Sequence, residues 1–483
     1  MLIYNSQTHK KEEFVPVHPG EVRMYVCGPT VYDFLHVGNF RGAIFFNLVR
    51  NWFEKQGYKV TYVYNYTDID DRIIKKAQDE KVDSLTISER YIKEFQKDYA
   101  SMKLRPQSHN PKVTDFIDPI VELISDLIKN GKAYVVDGDV YYDVHAFTDY
   151  GKLSNKKLED LEAGHRIDVD ERKKHSADFA LWKKSKPGEP QWPSPWSAGR
   201  PGWHIECSAM SRTILGDTID IHGGGLDLVF PHHENEIAQT EGATGKPFVR
   251  YWMHNNMLNF GNQKMSKSIG NVRTARSFVQ QYNAEILKYM MLSVHYRSTS
   301  DFSEAAIETA IGSLARFYSS LAWAERLMRE NVALVPVPTK FQDAIDVADK
   351  AIDEALNDDF NTPEVIAAWF EVLRLFNNQC RAPGKVTPEK KAMAEVFFHW
   401  LRKRAELMAL LQEPPFEFLR QLDDMLLSKK GVARAEVDAL VVARTQARAS
   451  KDFAQADQLR MKLTELGIAV QDSASGTDWE VSK

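Results

Sequence analysis

Between Val22 and Tyr66 the chain reads as a strand, a loop, a helix and a second strand, and this succession restricts the fold more than any other stretch. The β-rich run Val22–Cys27 stops at Gly28, Pro29 and Thr30. After a loop ending in His36-Val37-Gly38-Asn39, apolar residues recur at helical spacing (Ile44, Phe45, Leu48, Trp52, Phe53) until Gly57 supplies a stop. Val60–Tyr66 is again β-rich. Strands joined through a helix lie parallel, because a tight turn joins only antiparallel ones. The expected class is therefore α/β, with a Rossmann-like parallel sheet in the catalytic domain.

The chain has 483 residues, which at roughly 150 per domain predicts about three domains. A mixed insertion is expected over 106–195, with a strand at Ala133–Val136, a turn at Asp137-Gly138 and a return strand at Asp139–Val144. A second strand, Thr218–His222, enters Gly223-Gly224-Gly225, followed by a helix from about His232 and the aromatic run Val249–Phe260. Beyond Ser268 the pattern is helical: Glu304–Glu330, a proline-stiffened connection at Val332–Pro338, then helices from Phe341 to about Leu411. The tail predicts a helix over Ala433–Ser450 and another from Asp452, with Phe453, Ala456, Leu459, Leu463 and Leu466 on one stripe and Gly467 as stop; a hairpin closes the chain. The expected division is a catalytic domain over 1–260, a loop and stem-contact region over 261–310, a helical bundle over 311–420 and a small mixed α/β domain over 421–483.

Charge and cysteine usage exclude further classes. Sixty-two Lys and Arg against 67 Asp and Glu leave a net charge of −5, which excludes a globally basic nucleic-acid clamp but not a local basic face. Three cysteines, Cys27, Cys207 and Cys380, are too few and too scattered for a disulfide scaffold and point to a reducing compartment. The N-terminus is polar (Asn5, Gln7, His9, Lys10), and no run of about 18 uncharged apolar residues occurs. A cytoplasmic protein without signal peptide or membrane span is expected.

Two motifs carry phosphate chemistry. His36-Val37-Gly38-Asn39 sits where a loop becomes a helix, so unpaired N–H groups and the positive end of the helix dipole are offered to an anion; Gly38 permits close approach, and His36 and Asn39 can donate. Lys264-Met265-Ser266-Lys267-Ser268 places two ammonium groups on a loop, suited to a polyphosphate whose charge shifts as diphosphate leaves. Together the two motifs resemble the HIGH and KMSKS signatures of class I aminoacyl-tRNA synthetases. Asn39 departs from the histidine of the first signature; an amide still hydrogen-bonds but brings no positive charge.

A third constellation gathers metal-ligand chemistry. Cys27 precedes the first signature, Cys207 ends Gly202-Trp203-His204-Ile205-Glu206-Cys207, and Phe230–Glu236 contains His232, His233 and Glu236. His232 and Glu236, at i and i+4, share a helix face and with two thiolates would make a tetrahedral zinc site; His233 with Glu236 is a competing pair. These blocks, with Tyr25–Asp33, Asn65–Asp71, Gly199–Cys207, Asp220–Leu228, Lys264–Asn271, Asp359–Pro363 and Lys451–Ala454, are similar in content and order to the cysteinyl-tRNA synthetase family over nearly the whole chain. The resemblance implies zinc held by Cys27, Cys207, His232 and Glu236 and taking the substrate thiolate. It also implies Mg-ATP, L-cysteine and tRNA(Cys) as substrates, with cysteinyl-adenylate formed first and the aminoacyl group then passed to the 3′-terminal ribose.

In that reading His36, Asn39, Lys264 and Lys267 compensate phosphate charge, while Gly38, Gly224 and Asp227 complete the ATP site, Asp227 accepting from ribose hydroxyls. Thr67 and Trp203 are candidates for contact with cysteine; a core position is the alternative for Trp203. From Lys429 to Lys483 nine Lys and Arg meet eight Asp and Glu, so the tail is nearly neutral. Arg444, Arg448 and Lys451 are spaced to share a helix face toward tRNA, and Trp479 can stack on a base; a solvated face and a core tryptophan are the alternative. A monomer is expected. Two rivals remain: a cysteine-activating amino-sugar ligase, which needs no anticodon-reading tail, and a non-catalytic zinc-dependent RNA-binding regulatory protein.

Overall fold

The run that begins at Val22 forms the strand Glu21–Val26, an inner member of a four-stranded, wholly parallel sheet ordered Val249–Asn255, Ile219–Gly225, Glu21–Val26, Lys59–Tyr64. The computed structural model describes residues 1–158, 171–260, 263–264, 273–381, 384–473 and 476–482. The helix Asn39–Lys55 carries the chain between the two neighbouring strands, as the strand–helix–strand pattern requires. Thirteen of its 17 residues are buried, polar Asn47 and Asn51 among them, so it lies in the interior rather than on a half-wet face.

The glycine triplet continues the strand expected at Thr218–His222. Gly223, Gly224 and Gly225 belong to the strand Ile219–Gly225, paired to Met253, His254 and Asn255. A Cβ on Gly223 would stand 2.2 Å from the Phe46 ring, and one on Gly224 2.9 Å from His233 and Leu228. Close packing, not backbone reversal, selects glycine here.

The insertion is a second sheet, antiparallel, ordered Ala133–Val136, Asp139–Tyr142, Phe179–Lys184, Gly199–Pro201. Asp137 and Gly138 both take positive φ (53° and 93°), the requirement of a two-residue hairpin whose twist matches its strands. Its last strand lies beyond residue 195, where the insertion was expected to end. Two units divide the chain: Met1–Arg276 with Met291–Asp301 and Ala351–Ile366, and Ser277–Met290 with Phe302–Lys350 and Ala367–Lys483. In the first, Asp359 is fully buried and accepts from Tyr4 N, Tyr296 Oη and Arg297 Nε at 2.7–2.9 Å.

The second unit is helical. Glu304–Arg329, capped by Ser303, packs on Pro388–Glu406, capped by Thr387, and on Pro415–Lys429, with Tyr318 stacked on Phe418 at 3.8 Å. Pro415–Lys429 runs straight through the boundary expected at residue 420. The tail contains the helices Arg434–Ala449 and Phe453–Glu465 and the hairpin Ile468–Ser473 with Gly476–Val481 around Leu427, Val437, Val441, Leu463, Ile468 and Val481. Phe453 leaves the predicted stripe: it is the first residue after the Asp452 cap and is 64% exposed. No helix among the described residues is long and apolar enough to cross a membrane.

The tail is clasped by Asp472. Arg444, whose side chain is only 7% exposed, donates to both its carboxylate oxygens at 2.9 Å, and Arg448 and Thr477 donate as well. The Arg444 hydrogen bond holds the Asp472 carboxyl well below the usual carboxylate range. Such a group stabilises the fold above its unfolded pKa of about 3.9 and loses that contribution as pH falls through its lower folded value. Asp472→Asn should therefore cost ~1–3 kcal/mol at pH 7, and the difference from wild type should shrink below about pH 4. Amide hydrogen exchange over 434–473 against pH checks both the cost and its sign.

Candidate active site

All four strands of the parallel sheet end on the same side, so their carboxyl ends deliver Cys27, Tyr64, Gly225 and Asn256 toward one cavity of about 410 Å³. Such a crevice is where open α/β sheets bind nucleotides. Cys27, His36, Gly38, Asn39, Thr67, Trp203, Cys207, Gly224, Asp227 and His232, separated by up to about 200 residues in sequence, all line it.

The first signature turns tightly before its helix: Asn39 N donates to His36 O and His36 N donates to Asn39 Oδ1, each at 3.0 Å. The Asn39 carbonyl is thus used within the loop, and its amide NH2 is the part available to a ligand. Gly38 keeps this bend open, since a Cβ would approach His36 Nδ1 to 3.0 Å and the ring would have to give. Among the described residues no side chain caps the helix. The chain just past the second signature is laced to this loop: Val37 N donates to Arg273 O (3.1 Å), Ala275 N to Leu35 O (2.9 Å), and His36 bridges Thr274. Lys264 lies in the strand Gln263–Lys264, paired with Asn259 beside the cavity residues Leu258 and Phe260. Lys267 and the rest of the pentapeptide lie outside the described residues.

At the inner wall, Cys27 Sγ is 3.7 Å from Cys207 Sγ and 3.6 Å from Glu236 Oε1, and His232 Nε2 is 3.1 Å from the same oxygen. The four donor atoms all lie within 4.8 Å of one another. A tetrahedral zinc ion with bonds of about 2.3 Å to sulfur and about 2.0 Å to nitrogen or oxygen requires S–S, S–O and N–O edges of about 3.8, 3.5 and 3.3 Å. These three edges fit that figure to within about 0.2 Å. A second set, Cys27, His222, His233 and Glu236, is also mutually close. It offers only one thiolate, and His233 Nε2 stands 3.9 Å from Glu236 Oε1, long for a shared ion.

Local structure explains the convergence. The turn Val229–His233 feeds without a break into the helix Glu234–Thr244, stacking His232 above Glu236. Glu234 is not aimed at the cavity; it accepts from the N–H groups of Gly151, Leu153 and Ser154 and ties down the insertion. Around the donors stands a ring of histidines with orienting contacts: His222 Nε2 is 2.8 Å from Glu236 Oε2, and His204 Nδ1 is 3.0 Å from His232 Nδ1. His233 Nδ1 is 2.8 Å from His254 Nε2. His204, His222 and His254 have no role predictable from their spacing; the available signal is that they lie inside Gly199–Cys207, Asp220–Leu228 and the aromatic run Val249–Phe260. Trp203, 38% exposed, stacks on the His232 ring at 4.4 Å, and Thr67 is buried beside Asn65.

Electrostatics follow from burial. Desolvation pushes the Cys27 thiol up, whereas a hydrogen bond from Cys27 pulls the Cys207 thiol down, so the pair favours one thiolate. Burial opposes ionisation of Glu236 and His232 alike, yet His222 and His232 hold Glu236 down to about 2, and Glu236 with Cys207 lifts His232 to about 10. Desolvation drives His204 and His233 well below the usual histidine value, leaving them neutral. A metal ion binding here displaces protons, and its affinity falls in acid.

In the tail, Arg444 is committed to Asp472; Arg448 shares that carboxylate while remaining half exposed, and Lys451 is exposed. Trp479 is half-buried, donates from Nε1 to Asp438 at 2.8 Å, and carries the Arg434 guanidinium 4.5 Å over its ring. Only part of the expected positive face thus faces solvent.

Class I (C) tRNA synthetase catalytic domains match residues 13–312, the DALR domain matches 351–412, and the cysteinyl-tRNA ligase anticodon-binding domain matches 433–479. Methionyl-tRNA synthetase of Mycobacterium tuberculosis, solved with methionyl-adenylate, shares the fold at a TM-score of 0.64 and 15% identity, covering 86% of this chain and 95% of its own. Fold and site define a class I aminoacyl-tRNA synthetase. Curated relatives narrow this: the cysteine–tRNA ligase of Bdellovibrio bacteriovorus is 55% identical over the full length of both chains, and that of Geobacter sp. strain M21 is 45% identical over 100% of this chain and 99% of its own. The chain belongs to the cysteine–tRNA ligase family.

One packing constraint under the site can be tested alone. Gly28 N accepts no latitude: it donates to Asn65 Oδ1 at 2.8 Å, and a Cβ on Gly28 would stand 1.7 Å from the Asn65 backbone carbonyl. Gly28→Ala should destabilise by ~3 kcal/mol or more, seen as a lower urea midpoint, whereas His36→Ala should leave that midpoint nearly unchanged.

Proposed function

We propose that Cys27, Cys207, His232 and Glu236 hold one zinc ion at the wall of the ATP crevice and thereby select cysteine for ligation to tRNA(Cys). The observation that carries this reading is the 3.7 Å approach of two thiols 180 residues apart, in the same cavity as the phosphate-binding loop. Zinc, when bound, supplies a soft site that prefers a thiolate strongly over a hydroxyl, and so separates cysteine from serine, which volume alone cannot do. His204 and His222 orient the His232 and Glu236 ligands.

The reaction proceeds in two steps. The cysteine carboxylate attacks the α-phosphorus of Mg-ATP, cysteinyl-adenylate forms and diphosphate leaves; a ribose hydroxyl at the tRNA 3′ end, the 2′-OH by family likeness, then takes the aminoacyl group and AMP is released. No enzyme nucleophile is needed, so the protein contributes positioning and electrostatics. The uncapped helix start with Gly38 and Asn39, together with His36, faces the phosphates, and Lys264 and Lys267 neutralise the departing diphosphate. Gly224 allows the nucleotide close to the sheet, Asp227 on the rim accepts from its ribose, and Thr67 and Trp203 border the amino acid. The tail recognises tRNA with Arg448, Lys451 and Trp479, and Arg444 holds the helix that carries two of them. Two thiols this close would oxidise readily outside a reducing compartment, which favours the cytoplasm. An amino-sugar ligase would have no use for the matched tail.

Cysteine-dependent ATP–diphosphate exchange by the zinc-loaded protein tests the first step; its absence would sink the proposal. Cys207→Ser should lose stoichiometric zinc and at least about 100-fold in exchange while the fold survives, and unchanged metal content would refute the ligand assignment. For the tail, truncation after Lys430 avoids cutting the helix that ends at Lys429. Exchange should persist while aminoacylation of tRNA falls at least about tenfold, the loss of ~1.4 kcal/mol of binding; equal loss of both would reduce the tail to a stabilising role.

A further inference from the structure

The insertion carries a second gathering of ligand side chains that the ligation does not use. Asp143, His145 and His175 bring one carboxylate oxygen and two imidazole nitrogens within 4.8 Å of one another, and the two rings are 3.7 Å apart between centroids. We propose that these three residues form a solvent-accessible binding site for a borderline transition dication of the zinc class, separate from the cysteine-selecting cluster.

Three features of the site support it. Asp143 is mostly buried (16% exposed), and its Oδ1 meets no hydrogen-bond donor among the described residues, while the Lys174 ammonium lies 3.2 Å from Oδ2. A buried acceptor without a donor is unfavourable, and a cation on Oδ1 relieves that cost. The spacing of the donors is also preset. Asp178, 2% exposed, accepts from Val144 N at 3.0 Å through Oδ1 and from His175 N at 3.1 Å through Oδ2, so one buried carboxylate clasps both backbone segments that bear the ligands. Tyr134 braces it, donating to Asp178 Oδ2 and accepting from Lys174 N, both at 2.7 Å. A site whose backbone is already ordered pays little conformational cost on binding.

Donor chemistry sets the class of ion. Two imidazoles and one carboxylate suit zinc, cobalt, nickel or copper, whereas magnesium and calcium require oxygen donors throughout. Three protein ligands leave positions for water. Without a thiolate, and with His145 exposed, the ion binds more weakly and exchanges faster than at a buried two-thiolate cluster. Lys174 competes for Asp143, but its side chain is 54% exposed and such a pair is weak.

Cobalt(II) titration of the metal-free, full-length protein separates the two sites. Wild type should bind in two phases: a tight one with a thiolate charge-transfer band, and a weaker one without it. His145→Ala and His175→Ala should each weaken the second phase at least about tenfold, and the double variant should abolish it with the charge-transfer band unchanged. Cys207→Ser should do the reverse, removing the band and leaving the weak phase, so failure of either assignment is distinguishable from failure of the other. His145 is exposed, so its variant will fold whatever becomes of His175. A weak phase of undiminished affinity in the His145 and double variants, or no second phase in wild type, overturns the proposal.

Discussion

The site rests on a short stretch of parallel pairing. Tyr25 and Val26 stand beside His222 and Gly223, and Cys27 N donates to Gly223 O at 3.1 Å just past the strand end. That pairing joins a segment near residue 25 to one near residue 222, and two donors of the proposed zinc cluster, Cys27 and Glu236, lie beside it. Cys27 is the next residue along one strand, and Glu236 meets His222 from the other. The pairing in turn needs glycine at 223, because the Phe46 ring occupies the space a side chain would take. A helix face and a strand register are thus fixed by the same close contact, next to the proposed zinc ligands.

This accounts for what was legible beforehand. The strand–loop–helix–strand unit carries its own information: apolar spacing, Gly57 and the turn residues all act within about 40 residues, and the observed elements agree to one or two positions at most boundaries. The Asp137-Gly138 hairpin was readable for the same reason, since its demand for positive φ is local. What failed depended on neighbours distant in sequence. The expected strand Thr218–His222 runs on through the glycine triplet to Gly225, where Phe46, Leu228 and His233 leave no room for side chains. Phe453 fits a helical stripe but sits at the helix start, outside the reach of the tail core. The histidines around the donors were visible as letters, but only the fold shows which nitrogen meets which carboxylate.

Charge illustrates the same limit. Arg444, Arg448 and Lys451 share a spacing that suggests one basic face, and spacing cannot reveal that Asp472, arriving on a hairpin strand, claims the first wholly and the second in part. Arg444 is the more informative residue for it. A buried guanidinium held by two parallel hydrogen bonds sets the angle between helix and hairpin, and so the position from which any exposed cation can meet a nucleic acid.

In the proposed zinc site, selection of cysteine over serine accounts for ligands drawn from several elements. Sulfur and oxygen differ little in volume, so a pocket shaped by side chains of ordinary softness gains too little discrimination to dispense with correction. A metal gains it chemically, but only if held so rigidly that an extra donor completes its coordination without rearrangement. Strand end, helix and helical turn each supply donors here, and each is fixed independently by the sheet, by the Glu234 anchor or by the histidine ring. A site on one loop would be simpler to encode and softer. Dispersing the proposed ligands over some 200 residues would tie metal geometry to the fold of the whole catalytic unit and make precise coordination a consequence of folding correctly.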